Sequence, residues 1–331
     1  MMKRAIFFCG DPKSVRRVYD DESISKIRTV YDIEDRVYTR ADLQQENFAN
    51  VEAIFSTWGM HVLTEEDIAA CFPSLRYLFY AAGTVQHFAK PFLKRGVRVF
   101  SAWKANAVPV AEFTVAQILL ANKGYYQSTR RCSDYAAATA FFQKYVGNYG
   151  AKIGILGDGA IGSLVINELL RYKLEVCVFS ITMTEAEAQK KGVRLCSLSE
   201  IFAECDVISN HLANNEATKK IINRSLLESM KPNATFINTG RGAQVDEDAL
   251  ADVLAKNPDI TALLDVTDPE PPVEGSPLYT LNNVFLTPHI AGSAGKEVNR
   301  MADFMANTCR DVCSGLPSDN EVTMRMLEVM A

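Results

Sequence analysis

The chain has 331 residues, 48% of them hydrophobic and 23% charged, which is enough for two globular domains with cores of their own. Its net charge is -5 and no segment gathers lysine and arginine into a stripe, which argues against a nucleic-acid partner. No run approaches the roughly 18 uninterrupted apolar residues of a membrane span, and the apolar start "AIFFCG" meets Asp11 too soon for a secretory signal. We therefore expect a cytoplasmic protein with no membrane contact. In chain order, "RAIFFCG", "VEAIFST", "LRYLFYA" and "VRVFSA" predict strands, and "LTEEDIAACF" predicts a helix capped by Thr64. Such alternation predicts βαβ units around a parallel sheet. "VPVAEFTVAQILLANKGYY" predicts a long helix with Pro109 near its first turn.

A second β/α rhythm begins at Lys152. "KIGILG", "LEVCVFS", "DVISN", "ATFIN", "ITALLDV" and "VFLTPHI" are six strand candidates, the count of a complete dinucleotide-binding fold. One more helix, within "GSAGKEVNRMADFMANTCRDVCSG", is expected to close the chain and to return to the first domain. The eight cysteines form no CxxC and several lie in apolar runs, so buried free thiols are expected. Cys309 and Cys313 stand one helical turn apart with no histidine near them in sequence, a poor metal site.

"IGILGDGAIGSLVINELLRY" holds Gly157, Gly159 and Gly162 in GxGxxG spacing, between an apolar strand and an amphipathic helix. Gly157 would make the tight turn, Gly159 would admit a pyrophosphate, and Gly162 would let helix and strand pack closely. The alternatives are a bare structural turn or a methyltransferase loop. An acid about 20 positions on usually holds the ribose hydroxyls. Here that place is taken by Ser180, with no acid or base close behind it.

Three titratable groups fall after the fourth, fifth and sixth of these strands, where open α/β sheets place their ligands. Arg241 stands between two glycines in "FINTGRGAQVD", and its planar fork of donors matches a carboxylate. Glu270 lies in the proline-rich "LLDVTDPEPP", where proline stiffens the loop, although a carboxylate there is usually only solvated and Asp265, Asp268 and Glu270 could also suggest a metal. His289, in "VFLTPHIAGS", is one of four histidines. No GxSxG elbow, P-loop or HExxH appears.

Over nearly its full length the chain resembles the D-isomer-specific 2-hydroxyacid dehydrogenases. "GILGDGAIG" is similar to the family's cofactor loop, "SMKPNATFINTGRGAQVD" to its arginine signature, "LLDVTDPEPP" to its glutamate segment and "LTPHIAG" to its histidine segment. "NAVPVAEFTVAQILL" resembles its interdomain helix and "YAAGTV" its substrate-carboxylate loop. The resemblance implies an α/β protein of two doubly wound parallel-sheet domains. A flavodoxin-like substrate domain would cover 1–104, completed by a returning helix in 292–331, and a Rossmann-type NAD(P)-binding domain would cover 105–291.

The resemblance also implies roles. Arg241, Glu270 and His289 would be catalytic: Arg241 binding the keto acid, His289 exchanging a proton, and Glu270 pairing with His289. Cofactor contacts would come from Gly157, Gly159, Ala160, Ile161 and Gly162 in the loop, then Ser180. Further on they would come from His211, Leu212, Ala213 and Thr218, from Thr239, Gly240 and Arg241, and from Asp265, His289 and Gly292. Trp58, Ala82, Gly83 and Thr84, with Arg241, would hold the substrate, and no metal is implied. The chain departs from the family's pattern at Ser180, at Ala213 where proline is usual, and in "AAGTVQHF", which lacks an aspartate often found there.

The expected activity is NAD(P)-dependent interconversion of a 2-keto acid and a D-2-hydroxy acid, in a homodimer. Hydride arriving at the carbonyl carbon leaves negative charge on oxygen, and a histidine supplies the proton. The glycines beside Arg241 are expected to leave room for nicotinamide and substrate. Ser180 predicts weak discrimination between NAD and NADP. A rival reading is a dinucleotide-binding regulatory protein on the same scaffold. Formate oxidation would call for a non-ionisable group at Glu270.

Overall fold

The computed structural model describes residues 3–141 and 144–328. It divides into two compact units, Met1–Asn106 with Ser293–Ala331, and Ala107–Gly292. In the first, β1 (Lys3–Phe8), β2 (Tyr31–Tyr38), β3 (Val51–Ser56), β4 (Tyr77–Tyr80) and β5 (Arg98–Ser101) alternate with α1 (Pro12–Val18), α2 (Asp21–Arg28), α3 (Glu65–Cys71) and α4 (Ala89–Lys94). Thr64 caps α3 as its sequence predicts, accepting from the Asp67 N–H while the Asp67 carboxylate reaches back to Thr64. The chain then passes through α5 (Trp103–Asn122), α6 (Tyr125–Arg131) and α7 (Tyr135–Phe141).

The second unit continues with β6 (Tyr149–Leu156), α8 (Ala160–Leu169), β7 (Lys173–Phe179), α9 (Glu185–Lys191), β8 (Arg194–Leu195), α10 (Leu198–Glu204) and β9 (Val207–Asn210). It ends with α11 (Arg224–Glu228), β10 (Thr235–Asn238), α12 (Glu247–Lys256), β11 (Thr261–Leu264) and β12 (Val284–Leu286). The first unit is completed by α13 (Glu297–Cys313) and β13 (Glu321–Val322).

The first sheet runs β2-β1-β3-β4-β5-β13, parallel except for β13, and its first five strands follow the flavodoxin-like order. Phe55, Phe79 and Phe100 stack across β3, β4 and β5, with ring centroids 5.0 and 5.2 Å apart. Met301, Met305 and Cys309 of α13 join the same core. Strands buried on both faces need no alternation, which is why they read as apolar runs.

The second sheet runs β8-β7-β6-β9-β10-β11-β12, all parallel. Its connections reverse direction between β6 and β9, the switch point where such sheets bind their ligands.

Four expectations change. The second sheet has seven strands, because the two-residue β8 is too short to leave a pattern. The first gains β2, an edge strand whose "YDIEDRVY" buries Tyr31, Ile33 and Tyr38 but exposes Asp32, Glu34, Asp35 and Arg36 and so leaves no apolar run. Pro109 lies inside α5, because the helix begins at Trp103. Burial of Ala105, Ala107, Val110 and Ala111 outweighs the backbone hydrogen bond lost at proline. Nor does α13 close the chain, since β13 follows it and pairs antiparallel with β5.

Candidate active site

The glycine loop joins β6 to α8. Gly157 has φ +94°, and a side chain there would press on the His211 carbonyl at 2.8 Å. A Cβ on Gly162 would fall on the Gly157 carbonyl, so the helix can approach the strand only without one. At Gly159 a Cβ would meet nothing within 4 Å. Ala160 and Ile161 then open α8, which no side chain caps. Free N–H groups at the positive end of the helix dipole, beside open space, fit the pyrophosphate of a dinucleotide.

At the end of β7, Ser180 does not stand alone. Its hydroxyl donates to the Asp158 carboxylate at 2.7 Å and accepts the N–H groups of Thr182 at 3.0 Å and Met183 at 2.9 Å. The Thr182 hydroxyl lies 3.3 and 3.4 Å from the two Asp158 carboxylate oxygens. Sequence reading missed Asp158, because it occupies a variable position of the GxGxxG pattern.

After β9 comes a tightly bonded turn. His211 is buried, which pushes its pKa down to about 4 and keeps it neutral. Its Nε2 meets the Ser209 hydroxyl at 2.9 Å, while its buried Nδ1 has no partner among the described residues. The Gln244 amide donates to the carbonyls of Leu212 and Ala213, at 2.8 and 2.9 Å. The Thr218 hydroxyl donates to the Ala213 carbonyl at 2.6 Å. This scaffold replaces the stiffness that proline at 213 would supply.

Arg241 follows β10, after Thr239, whose hydroxyl lies 3.3 Å from that of Thr114. A Cβ on Gly240 would meet the Asn210 amide nitrogen at 2.9 Å and the Gln244 amide oxygen at 3.0 Å. A Cβ on Gly242 would fall on the Thr267 carbonyl and the Asp268 nitrogen. The expectation that these glycines make room for ligands is therefore corrected: both spaces are filled by the protein. Close packing at Gly242 brings the loop that carries Glu270 against the arginine turn. The Arg241 guanidinium donates to the Gly240 carbonyl at 2.7 Å, and its burial lowers its pKa while Glu270 opposes that shift. No carboxylate pairs with it among the described residues, leaving donors for an anion.

His289 and Glu270 meet directly, Nδ1 to Oε1, at 2.7 Å. His289 has φ +54°, a conformation uncommon outside glycine. Asp265 holds it there. Its carboxylate accepts the Thr287 hydroxyl at 2.6 Å and the N–H groups of Ile290 and Ala291 at 2.8 and 2.9 Å. Its carbonyl accepts the His289 N–H at 3.0 Å. Expected as a cofactor contact, Asp265 has its buried carboxylate committed to this loop, and the second unit ends within it at Gly292.

Glu247, unmarked by sequence reading, accepts the Asp268 N–H at 2.7 Å, and burial pushes its pKa up to about 7. A first-turn glutamate looks like ordinary helix-dipole chemistry, so nothing in the sequence distinguishes it.

In the first unit, Trp58 follows β3, and Ala82, Gly83 and Thr84 follow β4, again at carboxyl ends of a parallel sheet. The Ser101 hydroxyl donates to the Ala82 carbonyl at 3.0 Å, and the Thr57 hydroxyl to the Ala81 carbonyl at 2.8 Å. The turn is thereby fixed from within.

Residues 115–291 match the family model described as D-isomer specific 2-hydroxyacid dehydrogenase, NAD binding domain. The chain belongs to this family. A D-3-phosphoglycerate dehydrogenase of Archaeoglobus fulgidus is 29% identical over 237 residues, which are 71% of this chain and 44% of that protein. The chain thus spans about half the length of the curated relatives it matches. Among solved structures of 2-hydroxyacid dehydrogenase fold, the apo D-mandelate dehydrogenase of Rhodotorula graminis superposes with a TM-score of 0.79 at 21% identity, covering 99% of both chains. The TT0316 protein of Thermus thermophilus gives a TM-score of 0.72 at 25% identity, covering 96% of this chain and 100% of that one.

Proposed function

We propose that the protein is an NAD(P)-dependent 2-hydroxyacid dehydrogenase that acts mainly as a reductase of small 2-keto acids. The observation that carries this is the His289–Glu270 pair at 2.7 Å, with the open glycine loop and Arg241, whose guanidinium meets no carboxylate among the described residues, also following strands of the same parallel sheet. The dinucleotide, when bound, supplies the hydride. The residues of this chain manage charge and protons around it.

Because a carboxylate only accepts, the Nδ1 that faces Glu270 carries a proton, and the exchangeable proton belongs to Nε2. His289 delivers it to the carbonyl oxygen as negative charge develops there, and Glu270 stabilises the imidazolium that donates it. Arg241 holds the carboxylate of the keto acid and polarises its carbonyl. The family likeness assigns Trp58, Ala82, Gly83 and Thr84 to the substrate, and the remaining glycine-loop and strand-end positions to the cofactor.

We also assign the protein to the cytoplasm as a homodimer. All eight cysteines are free thiols, as a reducing compartment keeps them. The exposed Leu120, Tyr125, Tyr135, Val146 and Tyr149 gather in one stretch of chain, as an apolar interface would need.

The test is oxidation of NADH and NADPH with glyoxylate, hydroxypyruvate, pyruvate and phenylpyruvate. The reverse reaction would be tried with 3-phosphoglycerate and mandelate, the acids named in its relatives. Turnover of at least one supports the reading. Cofactor binding without any turnover would favour the regulatory protein instead.

A further inference from the structure

We propose that Asp158, carried by the glycine loop rather than by the second strand, reads the adenosine ribose and selects a cofactor with a free 2′-hydroxyl over one with a 2′-phosphate. This rests on the reading of the second unit as a dinucleotide-binding domain and deepens it. The sheet offers its phosphate cradle at the end of β6, and the ribose-reading acid of such folds belongs at the end of the neighbouring strand. That strand, β7, ends in a hydroxyl. The hydroxyl, however, points its one proton at a carboxylate from the adjoining loop, at 2.7 Å. An acid therefore occupies the expected place by a different route.

Three features make this a built arrangement. The Asp158 backbone is pinned, because its carbonyl accepts the Ser163 hydroxyl at 2.6 Å. The Ser180 oxygen is fixed in turn by the N–H groups of Thr182 and Met183. No lysine, arginine or histidine pairs with Asp158 among the described residues, so its charge is unspent. One carboxylate oxygen takes the Ser180 proton and lies 3.3 Å from the Thr182 hydroxyl, and among the described residues the other has only that hydroxyl, at 3.4 Å. It retains lone pairs for a vicinal diol. A 2′-phosphate would bring a second anion to the same carboxylate, with no cation there to offset it. On this proposal Ser180 is a positioning residue, and the weak discrimination expected from a serine alone gives way to a preference set by Asp158.

The experiment is calorimetric titration of the purified protein with NADH and with NADPH, without keto acid, for wild type, Asp158→Asn, Ser180→Ala and Ser180→Asp. Wild type should bind NADH at least tenfold more tightly. Asp158→Asn should bring the two affinities within about threefold, chiefly by tighter NADPH binding, and Ser180→Ala should lose part of the preference. Ser180→Asp should weaken NADH, because it sets two carboxylates side by side. Gains in NADPH affinity cannot come from a misfolded variant, so poor folding of one substitution does not mimic the result. Equal wild-type affinities, or an Asp158→Asn ratio like that of wild type, would overturn the inference and leave the dehydrogenase reading standing. Failure of both cofactors to bind would overturn both.

Discussion

A histidine, a glutamate and an arginine carry the proposed chemistry, and each can be removed separately. His289→Gln keeps a polar side chain but abolishes the proton donor, so kcat should fall about 10²–10⁴-fold. NADH affinity measured by titration should stay within about twofold, and near-wild-type turnover would take His289 out of the mechanism. Glu270→Gln keeps a hydrogen-bond partner at 2.7 Å from Nδ1 but removes the negative charge that faces the imidazolium. It should lower kcat by less than His289→Gln does, again with NADH affinity nearly unchanged. An unchanged kcat in steady-state assays would show that the pair is not coupled in function.

At the scale of elements, the turn after β10 and the loop after β11 depend on one missing side chain. Gly242→Ala places a methyl group on the Thr267–Asp268 backbone, which cannot swing aside as a flexible side chain would. The cost should be about 1–3 kcal/mol of stability, read as a lowered melting temperature, with kcat lowered as Glu270 is displaced. Glu247, at the start of α12, tunes the same loop. Burial raises its pKa from the usual 4.5 to about 7, so between these values the folded state binds more protons than the unfolded one. Stability must then fall as pH rises through that window. Glu247→Gln keeps an acceptor for the Asp268 N–H and never ionises. Its stability relative to wild type should grow between pH 5 and pH 8, by at most about 3 kcal/mol. Melting curves with a constant difference across that range would show that Glu247 is not proton-coupled to folding.

The whole molecule is expected to self-associate. Tyr135 is 88% exposed and Tyr149 83%, large values for aromatic side chains in water. Sedimentation velocity at micromolar concentration should give a dimer. Tyr135→Glu combined with Tyr149→Glu should shift it toward monomer without changing the melting of the second unit's core. A monomeric wild type would remove the homodimer from the proposal.

Patterns confined to a few neighbouring residues were legible in the sequence. The apolar runs marked most strands, the Thr64 capping box marked α3, and GxGxxG between strand and helix marked the cradle. Arg241, Glu270 and His289 could each be placed after a strand, since a parallel sheet forces its carboxyl ends onto one edge. Elements stabilised mainly by tertiary pairing were not legible: β8 and β13 are two residues each, and the first half of α5 persists through a proline because it is buried. The same limit governs the site. Whether glycine admits a ligand or a neighbouring loop depends on what fills the space at its Cβ, and at Gly242 that is Thr267 and Asp268. Ser180 looked like a lost acid because the carboxylate it donates to lies 22 positions earlier and meets it only when β6 and β7 pair. Sequence determined which groups the sheet could present at its edge, because local periodicity sets strand and turn. The tertiary structure alone decided which of them touch, because hydrogen bonds such as Asp158–Ser180 and Asp265–Ala291 join residues whose separation along the chain carries no pattern.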